Sequence, residues 1–306
     1  MRIVERFSDV RASAGGTLGL VPTMGFLHEG HLALVDAARR DCDTVVMSLF
    51  VNPLQFDEGS DLSRYPRDLD RDAALAEGRG VDVLFAPDLD EMYPEEPLTR
   101  VTVSGTTEEM EGAHRPGHFD GVATVVAKLF AGIRADRAYF GRKDAQQLAT
   151  VARMAADLSI PIRVIPVSIV REQDGLALSS RNVFLSSRER SRALGISSGL
   201  MAAADAAEDG ERDGARLESI VRARLDGVLI DYVSLAGASS ARRVDRLEDD
   251  AFLAVAARVG ETRLIDNVFL SVTGAGVAAD RGTRLDHGSI LYAPNEPRSR
   301  NLELGT

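Results

Sequence analysis

The sequence predicts an open, doubly wound parallel α/β sheet followed by a smaller α+β domain. Three observations point there. Apolar, β-branched runs alternate with stretches of helical periodicity through the first half of the chain. Polar motifs bearing Gly or Pro follow several of those runs, at strand-to-helix junctions where such a sheet binds its ligand. Near residue 170 the rhythm changes, and two helices precede three strand candidates with no long helix between the last two.

Residues 17–23 form a short apolar run that ends at Pro22-Thr23-Met24-Gly25. Leu32, Val35 and Ala38 then recur at helical spacing and predict a helix over 28–40. Residues 44–51 (TVVMSLFV) have the density of apolar and β-branched side chains of a buried parallel strand. A helix is expected over 68–79, a strand over 81–86, a strongly apolar helix over 121–134, a strand over 137–140, a helix over 144–157 and a strand over 162–170. Beyond them come helices over 186–207 and 212–225, and strands over 229–235, 252–258 and 262–272. The expected division is 1–170, 171–273 and a tail of 274–306. The tail is rich in Gly and turn residues and poor in apolar periodicity, so it is expected to fold loosely or be disordered.

Composition narrows the function. With 36 basic and 47 acidic residues the formal charge is −11, which argues against nucleic acid or an anionic membrane as the main partner. It leaves room for a phosphate-bearing ligand held by a local cationic cluster. No uncharged apolar stretch approaches the ~20 residues of a membrane span. The charged start MRIVERFSDVRAS is unlike a secretion signal. Cys42 is the single cysteine; it excludes an intrachain disulfide and a cysteine-rich zinc site, fits the cytoplasm, and reads as a buried small residue.

Four motifs carry the chemistry. In Pro22-Thr23-Met24-Gly25-Phe26-Leu27-His28-Glu29-Gly30-His31, a helix N-terminus suits phosphate, two imidazoles three apart add donors, and Gly30 admits a flat ring to the backbone. A zincin pair needs histidines four apart and fails by one position. A generic metal pair, or two histidines that only cap the helix, remain open. In Asn52-Pro53-Leu54-Gln55, two amides suit hydroxyl-bearing groups, although Asn-Pro is also ordinary turn chemistry. In Gly141-Arg142-Lys143-Asp144-Ala145-Gln146-Gln147, Asp144 is a plausible helix cap, while Lys143 opposes the helix dipole unless an anion sits beside it. In Val170–Asn182, hydroxyls, Arg181 and backbone N–H groups form either a phosphate cradle on a hinge or a polar linker. A fifth stretch, His114-Arg115-Pro116-Gly117-His118, could line a pocket. Asp68, Asp70, Asp72 and Asp82 could place magnesium on phosphates or form a solvated acidic face. No Walker-type phosphate loop occurs. The mixture suits a nucleoside triphosphate site joined to a pocket for a small hydroxylated acid.

Taken together, PTMGFLHEGH, FVNPLQF, YPRD, RPGHFDGV, GRKDAQQ and VREQDGLALSSRN, in this order and at these separations, closely resemble the pantoate–β-alanine ligase family. The resemblance continues more loosely through DYVSL and TRLIDN. It implies a Rossmann-like nucleotidyltransferase domain with a HIGH-type signature, a C-terminal lid and a cytoplasmic homodimer. It also implies a reaction in which ATP and (R)-pantoate give a pantoyl adenylate that β-alanine converts to pantothenate. By residue, it implies that His28, His31 and Lys143 serve the phosphates catalytically, and that Ser179, Ser180 and Arg181 grip the distal phosphates. Met24, Gly25, Gly30, Gly141, Asp144, Val170 and Leu178 would line the nucleotide. Gln55 and Gln147 would hold pantoate with Asn52 in support, and Asp72 would contact Mg2+.

Three departures stand out. Leu178 replaces a common methionine of similar volume, Arg142 stands where glutamate is frequent and reverses a charge beside the site, and the tail beyond Val272 is long. The rival readings are transfer of AMP or CMP to a phosphorylated acceptor, a non-catalytic nucleotide binder, and an ATPase forming ADP. The amides Gln55 and Gln147 disfavour the first, the retained His28, His31, Lys143 and Arg181 the second, and the missing Walker loop the third.

Overall fold

The computed structural model describes residues 1–56, 62–63 and 65–292. Six strands form one sheet: β1 (Arg2–Val4), β2 (Leu18–Thr23), β3 (Thr44–Leu49), β4 (Val83–Phe85), β5 (Arg137–Gly141) and β6 (Arg163–Val167). Their order is β1-β4-β3-β2-β5-β6, with every pair parallel. From β2 the chain builds outward through β3 and β4, then returns to build β5 and β6 on the other side. The switch point therefore lies between the carboxyl ends of β2 and β5, the crevice that such sheets use for ligands.

Strand alternation sends side chains into two cores. Leu20, Val46, Val83 and Phe85 meet Val122, Val126 and Phe130 on one face. Val21, Val45, Met47 and Leu84 meet Leu34, Val35 and Ala38 on the other, where Cys42 is also buried. Of the helices around this sheet, α1 (Phe7–Ser13), α2 (Glu29–Asp41), α3 (Leu69–Gly78), α4 (His118–Ile133) and α5 (Ala145–Asp157), the last four follow the expected pattern. Strand β1 and helix α1 were not anticipated, because three and seven residues are too few to show a period.

The expected strand over 162–170 is two elements. β6 stays in the parallel sheet, whereas β7 (Val170–Arg171) leaves it. Helices α6 (Ser187–Glu208) and α7 (Gly214–Arg222) then cover one face of an antiparallel sheet. Its strands are β8 (Leu229–Gly237), β9 (Ala251–Val259), β10 (Thr262–Thr273) and β11 (Gly276–Asp280), in the order β11-β10-β9-β8. Phe252, Ala254 and Ala236 on its other face pack on Met110, Ala145 and Ala149, which joins the two sheets. Among the described residues no helix is long and apolar enough to cross a membrane.

The tail corrects an expectation. Instead of folding loosely, its described part, residues 274–292, closes a hairpin with Thr273 opposite Gly276, whose φ of 126° favours glycine. It then lays β12 (Thr283–Arg284) parallel to β7 and ends in a turn at Ile290–Tyr292. Ladder hydrogen bonds and ion pairs hold it, among them Arg281 with Asp205 (2.5 Å) and Glu208 (2.7 Å). Apolar periodicity does not register such bonds. Residues 293–306 lie outside the described residues.

One buried pair ties these parts together. Arg171 and Asp266 are each 3% exposed. Their bidentate bonds are 2.6 and 3.1 Å, and Arg171 also donates to the carbonyls of Arg281 (2.6 Å) and Asn267 (3.1 Å). Replacing Asp266 with alanine strands a buried guanidinium and is expected to cost about 3–5 kcal/mol of stability, read from urea unfolding midpoints. A loss under about 1 kcal/mol would contradict this account of the pair.

Candidate active site

The first wall is the turn from β2 into α2. Gly25 (φ 86°) and Phe26 (φ 52°) both take left-handed backbone, which is costly for phenylalanine. Asp72, on α3 and 2% exposed, holds the turn by accepting from Phe26 N (2.6 Å) and Leu27 N (2.8 Å). A Cβ on Gly25 would stand 3.0 Å from an Asp72 carboxylate oxygen. Asp72 was expected to contact magnesium and Gly25 to line the nucleotide. Neither lines the cavity: the carboxylate is taken up by backbone amides, and Gly25 makes room for it.

His28 caps α2, with Nδ1 accepting from Gly30 N (3.1 Å), while His31 Nδ1 accepts from His28 N (3.3 Å). The rings are 4.0 Å apart. With both Nδ1 atoms accepting, each neutral ring carries its proton on Nε2. Burial, then the His31 ring and the cations Lys143 and Arg71, hold His28 well below the ordinary histidine range. Burial above all, with help from Lys143 and Arg71, brings His31 down to about 4. A Cβ on Gly30 would meet the His28 ring at 2.8 Å, so the flat ring this glycine admits is that of His28. Capping and lining the cavity are thus compatible uses of the two histidines.

The second wall follows β3. Asn52 is buried and donates to Gln55 Oε1 (3.1 Å) and Gly121 O (3.1 Å), and accepts from Tyr93 OH (3.0 Å). Its role is to orient Gln55, whose Nε2 lies 3.1 Å from Met24 Sδ. His118 Nδ1 donates to Gln55 O (2.8 Å), and Arg115 does so at 3.2 Å, which gives the His114–Gly121 stretch its place.

The third wall follows β5. Gly141, Lys143, Asp144 and Gln147 line the cavity. Asp144 stands at the N-cap position of α5 but makes no side-chain cap bond, and its carboxylate lies 3.7 Å from Lys143 Nζ. Gln146 lines the cavity as well, but its amide is occupied, donating to the carbonyls of Thr106 and Glu109 and accepting from Glu111 N. Arg142 does not line the cavity as a reversed charge. It turns to Asp280 on β11 (2.5 Å) and stacks 4.6 Å over the Phe269 ring.

The fourth wall is the segment after β7. Val170 and Leu178 are buried against Leu291. Ser179 caps the turn at Ser180–Phe184 by accepting from Arg181 N (3.3 Å), and Ser180 bonds Tyr65, whose hydroxyl burial pushes up to about 12. These walls enclose one cavity of about 1100 Å³, lined by Met24, His28, Gly30, His31, Asn52, Gln55, Gly141, Lys143, Asp144, Gln147, Val170, Leu178, Ser179, Ser180 and Arg181.

The antiparallel sheet closes the far side with residues the motif reading passed over. Arg263 binds Glu111 (2.7 and 2.8 Å) and Asp231 (2.7 Å), and Tyr232 OH donates to Glu111 (3.0 Å). The signal for them was DYVSL and TRLIDN, which hold Asp231, Tyr232 and Arg263. Among the described residues no cluster of three or more His, Cys, Asp or Glu could hold a metal ion.

Comparison with known proteins agrees with this geometry. A family model described as pantoate-beta-alanine ligase matches residues 2–269. The pantothenate synthetase of Heliobacterium modesticaldum is 52% identical over 281 residues, covering 89% of this chain and all of that one. That of Acetivibrio thermocellus is 48% identical over the same shares. The crystal structure of pantothenate synthetase from Thermus thermophilus matches with a TM-score of 0.83 and 48% identity, over 87% of this chain and 98% of that one. A pantoate-beta-alanine ligase from Francisella tularensis, solved with beta-gamma ATP and beta-alanine, matches at 0.72 and 32% identity, over 88% and 97%. Agreement of this breadth takes in every wall of the cavity up to β10, and by it the chain belongs to the pantoate–β-alanine ligase family.

Proposed function

We propose that this chain condenses (R)-pantoate with β-alanine at the expense of ATP, through a pantoyl adenylate. One observation carries the reading: the crevice at the β2/β5 switch point brings His28, His31 and Lys143 onto the same cavity as the amides Gln55 and Gln147. A pantoate carboxylate oxygen attacks the α-phosphorus, and the bond to pyrophosphate breaks with its electrons leaving on pyrophosphate. The β-alanine amine then attacks the acyl carbon, and AMP leaves. The volume of about 1100 Å³ is ample for a nucleotide beside a small acid.

The charge state of the histidines divides the labour. Neutral rings offer Nε2–H donors to phosphate oxygens, so cationic stabilisation falls to Lys143 and Arg181. Gln55, oriented by Asn52, and Gln147 both donate and accept, which suits pantoate's hydroxyls and carboxylate. With Asp72 engaged by the amides of Phe26 and Leu27, Mg2+ would enter on the triphosphate with its water. The same proposal carries residues 171–273 as a lid and the homodimer and cytoplasmic location that the family resemblance implies.

Product analysis tests the reaction. With ATP, magnesium and (R)-pantoate, AMP and pyrophosphate should turn over only when β-alanine is present, alongside pantothenate. ADP as the product would replace the adenylate with an acyl phosphate. His28→Ala and Lys143→Ala are each expected to slow pyrophosphate release about 10²–10³-fold with an unchanged far-UV circular dichroism spectrum. Wild-type rates in both would remove their assigned roles.

The depressed histidines also predict a pH dependence. Between the unfolded value near 6.5 and about 4, the unfolded chain binds protons that the folded rings refuse. Stability should therefore fall as pH drops through that window, and the His28 and His31 ring resonances should stay in the neutral form down to about pH 5. A titration of either ring near 6.5 would contradict neutral donors.

A further inference from the structure

The tail beyond the family's matched span reaches back to the first motif. Glu29 lies between the two histidines at the first position of α2, yet its carboxylate is 7% exposed and outside the cavity lining. Both its oxygens are taken by the tail: Ser289 Oγ donates at 2.8 Å and Ile290 N at 2.7 Å. The tail is itself fastened on each side. Arg71 Nη2 donates to Ile290 O (3.4 Å), Leu291 packs on Val170 and Leu178, and Tyr292 OH donates to Glu172 (3.0 Å) and accepts from Arg190 (2.8 Å). Residues 285–292 thus span from the histidine turn to the segment that bears Ser179, Ser180 and Arg181.

A carboxylate at the start of a helix is drawn to the same free N–H groups that a phosphate uses, and it repels a phosphate held there. We propose that residues 285–292 are an intramolecular strap that positions Glu29, holding its charge away from the mouth of α2 and so setting the site's affinity for nucleotide. Glu29 and the strap act through the N-terminus of α2; they do not touch the reacting atoms. The proposal rests on reading that N-terminus as the phosphate site.

The test uses the full chain with Ser289→Ala and Ile290→Pro combined. The first change removes the hydroxyl donor. The second removes the N–H at the opening position of a 3₁₀ turn, where proline's backbone angle is tolerated. The readouts are the Kd of β,γ-methylene ATP by calorimetry and the KM and kcat of pantothenate formation. Losing two bonds to a charged group is expected to raise the Kd and the KM for ATP about fivefold or more. The KM for pantoate and kcat at saturating ATP should stay within about twofold. Adding Glu29→Gln to the same chain should bring the ATP constants back to within about twofold of wild type, because the amide carries no charge. Unchanged ATP constants in the double variant would overturn the proposal, and so would a raised Kd that Glu29→Gln leaves raised. Should the double variant fail to fold, Ser289→Ala alone is read the same way, against Ser289→Thr, which keeps the hydroxyl and should behave as wild type. A wild-type protein that binds the analogue but forms no pantothenate would refute the reaction and leave the strap to be judged on Kd alone.

Discussion

The dipeptide Asp266-Asn267 on β10 is the junction on which the rest of the molecule depends. Asp266 neutralises the buried guanidinium of Arg171, which in turn holds the carbonyl of Arg281 at the start of the tail. Asn267 donates through Nδ2 to the carbonyls of Arg142 (2.9 Å) and Lys143 (2.8 Å), so the backbone that presents the site lysine is held by the second sheet. An ion pair this deep contributes little net stability against an apolar substitute, but it is severe to break from one side. Such a junction favours a single docking of the two sheets, and the cavity exists only in that docking.

Legibility followed the kind of force involved. Strands β2, β3 and β5 and helices α2 and α4 announce themselves because burial imposes a period on apolar residues. The motif residues on the cavity were readable because strand-to-helix junctions in a parallel sheet converge on one crevice. Asp72 was not. Nothing in its neighbourhood distinguishes a carboxylate that binds a cation from one that binds two amides, since both need the same oxygens. The left-handed backbone at Gly25 and Phe26, invisible in sequence, is what turns two amides onto those oxygens. Gln146 and Gln147 present the same difficulty in miniature, because both line the cavity and only the bonds of Gln146 to Thr106 and Glu109, invisible in sequence, separate them.

Burial also changes what the histidines can contribute. A pair of imidazolium ions beside a triphosphate is the intuitive arrangement, but placing two charges 4.0 Å apart in a dry wall with Lys143 nearby is strongly unfavourable. The structure instead uses the ring nitrogens in pairs. Each Nδ1 is spent on the backbone of the α2 cap, which fixes the tautomer and leaves each Nε2 proton as a donor of set direction. The capping function is therefore the means by which the two rings are oriented on the cavity wall.

Two features that the sequence reading set apart, Arg142 and the tail, resolve into one. From the sequence, Arg142 sets a positive charge beside the site and the tail is long. Each supplies the other's partner: Asp280, on the first strand of the tail, receives Arg142 along with the Ser168 hydroxyl (2.7 Å), and Arg142 stacks on Phe269 beneath it. Without β11 the guanidinium would have no carboxylate there; without Arg142, Asp280 would bring a half-buried negative charge to the edge of the docking face. The positive charge at residue 142 is thus a feature of the sheet-to-sheet contact, and Lys143, one residue on, is the member of the pair that faces the cavity.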